Sequence, residues 1–123
     1  MNLDSYLNHI SGNSDLQKHL SRFENVVKFA TDEERVNGLL KYKELANNTA
    51  FLFIFEMPEK LVFHTIGMCC PLDILFFDEN EKLVAQYLDV IPGRRMIMSN
   101  LPAKYVVESK SDYEKTKIHS TIP

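Results

Sequence analysis

The stretch FHTIGMCCPLDILFFD, residues 63–78, contains the most apolar run of the chain together with a histidine, two cysteines and two aspartates. Its second half, 72–77, is almost entirely large and apolar, which is typical of a buried strand. Residues 66–71 include glycine and proline, which favour a loop. We therefore predict the end of one strand over 63–65, then a shaped loop, then a core strand.

Further runs of β-forming residues lie outward from this stretch, separated by turns with proline, glycine or Asp-Glu-Asn. The predicted strands cover residues 50–55, 60–65, 72–77, 82–90 and 103–108. The segment DENE, 78–81, separates two of them, and Asp and Asn tolerate turn conformations and hydrogen-bond to their own backbone. The strands on either side should pair as a hairpin, and all five together predict an antiparallel meander.

Helices are predicted in the first third of the chain. Ser14 with Gln17, and Thr31 with Glu34, fit the capping box, in which side chains satisfy the free N–H groups of a first helical turn. A helix should follow each cap, the second over about 32–40. Its buried side should consist of Val36, Leu39 and Leu40.

The composition fits one globular domain. The chain has 123 residues, of which 45% are hydrophobic and 25% charged, as in ordinary globular proteins. The net charge of −3 argues against nonspecific nucleic-acid binding, which depends on clustered Lys and Arg. No run has the length of a membrane span, and the N-terminus does not resemble a signal peptide. We therefore predict a cytoplasmic protein that binds neither nucleic acid nor membranes.

The only two cysteines, Cys69 and Cys70, are adjacent. Neighbouring cysteines rarely satisfy disulfide geometry, and they lack the spacing of a zinc or redox site. No nearby Lys or Arg in the sequence would lower their pKa. We expect packed, reduced thiols, no metal site and no cofactor.

The order His64-Thr65-Ile66-Gly67-Met68 followed by Pro71-Leu72-Asp73 resembles the HT-x-G-M-x-x-P-[IL]-D signature of a small family, domain of unknown function 192. Three more segments agree with that family: ER with GLL over 34–40, PGR over 92–94 and AKYVVE over 103–108. The resemblance implies a compact antiparallel, barrel-like β structure with a short helix near its start. Asn37 and Tyr42 stand where the family often has arginine, which weakens the case for an anion site.

The chain is predicted to be an α+β protein in three parts. Residues 1–25 form an N-terminal helical extension, 26–108 the β-rich core domain that carries the resemblance, and 109–123 a C-terminal tail. A helix over residues 3 to 10 would present one apolar face. Because the extension lies outside the resemblance, we expect it to provide any surface for homo-oligomers or a protein partner.

His64 and Asp73 are the strongest candidates for chemistry, because an imidazole titrates near neutral pH and a carboxylate can orient it or share its proton. In the structural interpretation, His64 bonds a backbone carbonyl and Asp73 accepts N–H groups from the 67–71 loop. Arg35, on the capped helix, is predicted to reach Asp73. The predicted ligand-binding residues are Arg35, His64, Thr65, Met68, Asp73 and Arg94.

Three functions follow from these candidates. The first is a noncatalytic binding or interaction module with a pocket near the His64 and Asp73 loop, because no complete catalytic constellation is visible. The second is a small hydrolase-like or transferase-like enzyme with His64 as base and Asp73 as its orienter. The third is a structural or accessory component of a larger assembly.

Overall fold

A five-stranded mixed β-sheet forms the centre of the protein in the computed structural model, which describes residues 14–111. The helices are α1 (Asp15–Leu20), α2 (Asp32–Asn37) and a short 3₁₀ helix (Gly38–Lys41). The strands are β1 (Asn25–Phe29), β2 (Thr49–Glu59), β3 (Val62–Phe63), β4 (Leu72–Phe77), β5 (Leu83–Val90), β6 (Ile97–Met98) and β7 (Ala103–Lys110). The structure is therefore of the α+β class.

The last strand of the chain lies at the centre of the sheet. The strand order is β1-β2-β7-β4-β5, with β1 parallel to β2 and all other neighbours antiparallel. β3 and β6 pair separately as a small antiparallel ribbon. In a meander each strand pairs with the next one along the chain, but β7 inserts between β2 and β4. The predicted meander is therefore wrong.

The sheet does not close into a barrel. Within residues 14–111, β1 and β5 are its two free edges, so the barrel-like detail implied by the resemblance is not found. The central position of β7 follows from its burial on both faces, since Val106, Val107, Glu108 and Ser109 are all buried. Hydrophobic clusters cover both faces of β7, with Val106 in one cluster and Val107 in the other, and β2 and β4 pair with its two edges.

The turn between β4 and β5 confirms the predicted hairpin. Oδ1 of Asp78 accepts the N–H groups of Asn80 and Lys82, each at 2.9 Å. Glu81 takes a left-handed φ of 64° and donates its N–H to the Asp78 carbonyl. These bonds are local in sequence, which is why the turn could be identified without the fold.

Both predicted helix starts are confirmed. The Ser14 hydroxyl accepts the N–H of Gln17 at 3.0 Å. Thr31 and Glu34 form the complete reciprocal capping box. At the other end, α2 stops before residue 40, because Gly38 has a φ of 40° that a continuing α-helix does not contain.

The buried side predicted for α2 is only partly correct. Leu39 is 3% exposed, but Val36 is 76% exposed and Leu40 48% exposed. Val36 and Leu40 line an open cleft instead of filling the core.

Two hydrophobic clusters cover the two faces of the sheet. On β4, Leu72, Ile74 and Phe76 belong to the larger cluster and Leu75 and Phe77 to the smaller one. This division arises because successive side chains of a β-strand point to opposite faces of the sheet. Helix α1 packs on the smaller cluster through its buried Leu16.

Some predictions concern the ends of the chain. The predicted helix over residues 3 to 10 and most of the predicted tail, 112–123, lie outside the described residues. Within the described part of the chain, no helix is long and apolar enough to cross a membrane.

Candidate functional site

A cleft of about 470 Å³ lies between the sheet, α2 and β3. Much of its lining is apolar, chiefly Val36, Leu40, Phe53, Phe55, Phe63 and Met68. Four ionisable side chains also line it: Asp32, Arg35, His64 and Glu108. A concave, largely apolar space of this size with a few polar groups is typical of a small-molecule site.

Glu108 lies on the central strand and reaches the inner side of the cleft. It pairs with Phe51 of β2 on one side and with Ile74 of β4 on the other, so apolar neighbours flank it on the sheet face of the larger cluster. The residue is only 4% exposed. Burial raises the pKa of Glu108 to about 8, because an apolar environment disfavours the charged carboxylate.

The Glu108 carboxyl has no hydrogen-bond partner among residues 14–111, and burial is the single cause of its pKa shift. Buried polar groups in proteins are nearly always hydrogen-bonded. A buried carboxyl that lines a cavity and bonds nothing in the protein therefore requires an explanation. The cleft beside it provides room for a ligand group that would satisfy it.

Three phenylalanine rings form the aromatic part of the cleft. The Phe63 ring is edge-to-face with Phe53 at 5.3 Å between centroids and with Phe55 at 6.2 Å. Gly38 lies beside the Phe53 ring, and a Cβ at that position would meet the ring at 3.5 Å. The three rings therefore line the cleft at different orientations.

Arg35 lines the cleft, as predicted for a binding residue, but its partners differ from the predicted one. Its Nη1 donates to the carbonyl oxygens of Ala30 at 2.6 Å and Ile54 at 2.7 Å, and its Nη2 bonds the Asp32 carboxylate. The guanidinium also lies 4.9 Å from the centre of the Phe55 ring. The structure forms these contacts instead of the predicted pair between Arg35 and Asp73.

His64 also lines the cleft, at an exposed position. Its Nδ1 accepts the N–H of Ile66 at 3.2 Å. The ring therefore caps the loop that follows it, rather than donating to a backbone carbonyl as expected.

Asp73 lies on the other face of the sheet. Because side chains alternate along a strand, Asp73 shares the face of Leu75 and not that of Ile74, which is the Glu108 face. Its Oδ1 accepts the N–H of Asp89 at 2.8 Å. Burial raises its pKa. The expected bonds from the 67–71 loop to Asp73 are replaced by this bond to β5.

Asp73 is therefore not part of the cleft. Its place on the opposite face separates it from His64, and the structure does not bring the two together as a catalytic pair. Alternation along β4 already places Asp73 and Ile74 on opposite faces of the sheet. The sequence does not show which of these faces borders the cleft.

Thr65 and Arg94 hold two loops together. Thr65 is fully buried, and its hydroxyl donates to the Ile91 carbonyl at 2.8 Å and accepts the Arg94 N–H at 2.9 Å. The Thr65 N–H donates to the Arg94 carbonyl, and the Gly93 N–H to the Thr65 carbonyl. Thr65 thus connects the loop after β3 to the loop after β5, and neither Thr65 nor Arg94 lines the cleft.

The cysteines lie apart from the cleft lining. Their sulfur atoms are 3.4 Å apart, and both thiols are free. Burial, with the neighbouring thiol, raises the pKa of Cys70 to about 11, so the group is a thiol at neutral pH. Across residues 14–111, no group of three or more His, Cys, Asp or Glu side chains is placed to hold a metal ion.

Glu108 is the site residue that sequence reasoning missed. It ends the AKYVVE segment used for the family resemblance, and one signal was present, because a carboxylate follows two valines in a predicted strand. A period of two places Glu108 on the face of Val106. Only the central position of β7 shows that this face is buried.

Two solved structures have a similar fold. One is a protein of unknown function from Novosphingobium aromaticivorans, with 20% identity and a TM-score of 0.65, over 76% of this chain and 67% of that one. The other, from Sinorhizobium meliloti, is described as a "putative transcription regulator", with 22% identity and a TM-score of 0.67, over 80% of this chain and 75% of that one. At these identities the likeness shows the fold alone. No curated protein matches the chain.

The match to a family model is longer than the motifs indicated. The family described as "Uncharacterized ACR", domain of unknown function 192, matches residues 16–120. This range contains nearly all of α1 and every described strand, whereas the motifs fall within 26–108. The chain belongs to the domain of unknown function 192 family.

Proposed function

We propose that this protein is a noncatalytic module that binds a small organic ligand in the cleft beside β7. The observation that carries the proposal is the Glu108 carboxyl, which is buried, lines the cleft and has no hydrogen-bond partner among the described residues. In the free protein this carboxyl faces the open cleft, where its apolar surroundings disfavour the charged form. A ligand group that bonds the carboxyl would supply the partner that the described residues do not.

The remaining lining supports a ligand with an apolar body. Phe53, Phe55 and Phe63 offer aromatic surface, and Val36 and Leu40 leave apolar surface exposed at the rim. Covering this surface removes apolar area from water, which favours binding. Three of the six predicted binding residues, Arg35, His64 and Met68, line the cleft, whereas Thr65, Asp73 and Arg94 do not.

An enzymatic role receives less support. The pair proposed from sequence, His64 and Asp73, lies on opposite faces of the sheet. Glu108 has the raised pKa of many general acids, but no Ser, Thr, Cys, Lys or Tyr side chain of the described residues lines the cleft. Of the two carboxyl groups in the lining, Asp32 is paired with Arg35, and Glu108, unpaired among those residues and in largely apolar surroundings, fits recognition better than group transfer.

A fragment screen by protein NMR tests the proposed function. We expect aromatic fragments to shift the resonances of Val36, Leu40 and Phe63. Glu108→Gln should weaken the best polar fragment, and Glu56→Gln, at an exposed position of β2 outside the cleft lining, should bind like the parent. If no fragment shifts the cleft resonances, the cleft is not the functional site. If fragments bind but both variants bind alike, Glu108 does not recognise the ligand and the observation behind the proposal fails.

The remaining predictions concern where the protein acts and with what. We retain the cytoplasmic location and an assembly role for residues 1–25 as proposals. Sedimentation velocity of the full chain at several concentrations separates a monomeric binder from an assembly component. A mass that stays at 14.3 kDa supports the binder, and a mass that rises with concentration supports assembly.

A further inference from the structure

The chemistry of the cleft points to a class of ligand, an inference that rests on the proposed function. We propose that the cleft binds an organic ammonium ion carried on an apolar body, with the nitrogen against the Glu108 carboxylate and the body against the half-buried rings of Phe55 and Phe63.

The charge balance of the cleft leaves one acidic group without a counter-charge. Asp32 and Arg35 form an ion pair at the rim, so their charges compensate each other. His64 is exposed, and its Nδ1 already accepts the N–H of Ile66 at 3.2 Å. Glu108 is the remaining ionisable side chain of the lining. A ligand cation would therefore meet an unopposed carboxyl.

A ligand anion fits the cleft less well. Two hydrogen bonds to carbonyl oxygens occupy Nη1 of Arg35, and the Asp32 carboxylate already pairs with Nη2. An anion placed deeper would approach Glu108, and two carboxylates in one apolar space repel each other.

The aromatic rings favour a cation for a second reason. The face of an aromatic ring is electron-rich and attracts ammonium and guanidinium groups within about 6 Å. The cleft already contains one such contact, between Arg35 and Phe55 at 4.9 Å. Phe53 and Phe63 line the same space, and their edge-to-face packing gives them faces in different directions.

The protonation of Glu108 makes the assignment testable. Its pKa is raised to about 8 by burial, so the carboxyl is mostly neutral at pH 7 and must lose its proton to pair with an ammonium ion. Asp32, Arg35 and His64 are the other charged or titratable groups that face the cleft. Only the ionised form of Glu108 can pair with an ammonium ion. The affinity for the ammonium ion should therefore rise by up to about tenfold per pH unit until the pH reaches the pKa of Glu108.

The experiment uses three probes with the same phenylethyl body: 2-phenylethylammonium, 2-phenylethanol and 3-phenylpropionate. Each is titrated into the full chain at pH 6.5, 7.5 and 8.5, with binding followed by the NMR shifts of the cleft residues. At pH 8.5 we expect the ammonium to bind at least tenfold more tightly than the alcohol and the carboxylate to bind most weakly. The ammonium affinity should fall at least tenfold at pH 6.5.

Two variants separate the role of Glu108 from general effects. Glu108→Gln keeps the size of the side chain, and it should bind ammonium and alcohol equally and without pH dependence. Glu56→Gln should keep both the preference and its pH dependence. An ammonium preference that survives in Glu108→Gln would overturn the assignment of Glu108.

The outcomes also distinguish this inference from the proposed function. If the alcohol or the carboxylate binds as tightly as the ammonium at pH 8.5, the ammonium assignment is wrong and the small-molecule cleft stands. If no probe shifts the cleft resonances at any pH, the inference and the proposed function both fail.

Discussion

At the scale of single residues, burial decides the chemistry of this protein more than residue type does. Glu108 and Asp73 are both carboxylic acids on neighbouring strands, and burial raises the pKa of each. Asp73 accepts a backbone N–H from Asp89, which favours its charged form. Glu108 has no such donor within the described residues, so it is the carboxyl that stays neutral near pH 7.

The raised pKa of Glu108 predicts a pH-dependent stability. Between its ordinary pKa of 4.5 and its folded pKa of about 8, the folded state holds a proton that the unfolded state has lost. The stabilising contribution is therefore fully present below pH 4.5 and is lost as pH rises through 8. We expect the free energy of unfolding to fall by on the order of 4 kcal/mol over this range relative to Glu108→Gln. Urea unfolding at pH 5, 6.5 and 8.5 measures it.

Other titrating groups do not disturb this comparison. Burial lowers the pKa of His19 to about 4, so His19 destabilises the folded state as pH falls below 6.5 in the parent and the variant alike. The difference between the two proteins isolates Glu108. Equal pH profiles for the parent and Glu108→Gln would show that Glu108 is not buried as a neutral acid.

At the scale of elements, α2 positions one wall of the cleft. Its start is held by the capping box of Thr31 and Glu34, and it ends at Asn37, before Gly38, which lies beside the Phe53 ring. Arg35 projects from it to bond the Ile54 carbonyl of β2 at 2.7 Å. The helix is only six residues long, and helices this short depend on caps and tertiary contacts for stability.

Removal of the cap should therefore destabilise the protein. Thr31→Ala deletes the hydroxyl that accepts the Glu34 N–H at 3.1 Å, and loss of such a cap costs about 1 kcal/mol. The midpoint of urea unfolding measures the change. Thr31→Ser keeps the hydroxyl and should unfold within about 0.5 kcal/mol of the parent. Equal losses in both variants would assign the effect to the methyl group instead.

At the scale of the whole molecule, the last strand of the chain joins the two sides of the sheet. β7 pairs with β2 on one edge and with β4 on the other, so it brings together strands that are far apart in sequence. Non-local pairing of this kind makes the sheet cooperative, because neither half has a complete core without β7. The cleft depends on the same strand, since Glu108 belongs to it.

A core truncation in β7 should therefore cost more than one at the sheet edge. Val106 is fully buried between β2 and β4, and Val106→Ala should lower the free energy of unfolding by about 2–3 kcal/mol through lost burial and a cavity. Val26 on β1 is 37% exposed, and Val26→Ala should cost less than about 1 kcal/mol. Similar losses by urea unfolding would contradict the central role of β7.

The sequence by itself determined the features that depend on neighbours along the chain. The hairpin at 78–81, the caps at Ser14 and Thr31 and the core strand 72–77 could all be predicted, because local hydrogen bonds and side-chain periodicity produce them. The family followed from a contiguous signature. The packing of the cysteines did not follow from the sequence, because Cys69 is exposed where a packed thiol was expected, and only Cys70 is half-buried.

Only the tertiary structure decided which segments lie together. The strand order, the open sheet in place of a barrel and the opposite faces of His64 and Asp73 all depend on pairings between segments far apart in sequence. A strand pattern specifies two faces but not which of them is covered. The burial of Glu108 needed both β2 and β4 beside β7, and for that reason the residue central to the proposed site could be recognised only in the folded protein.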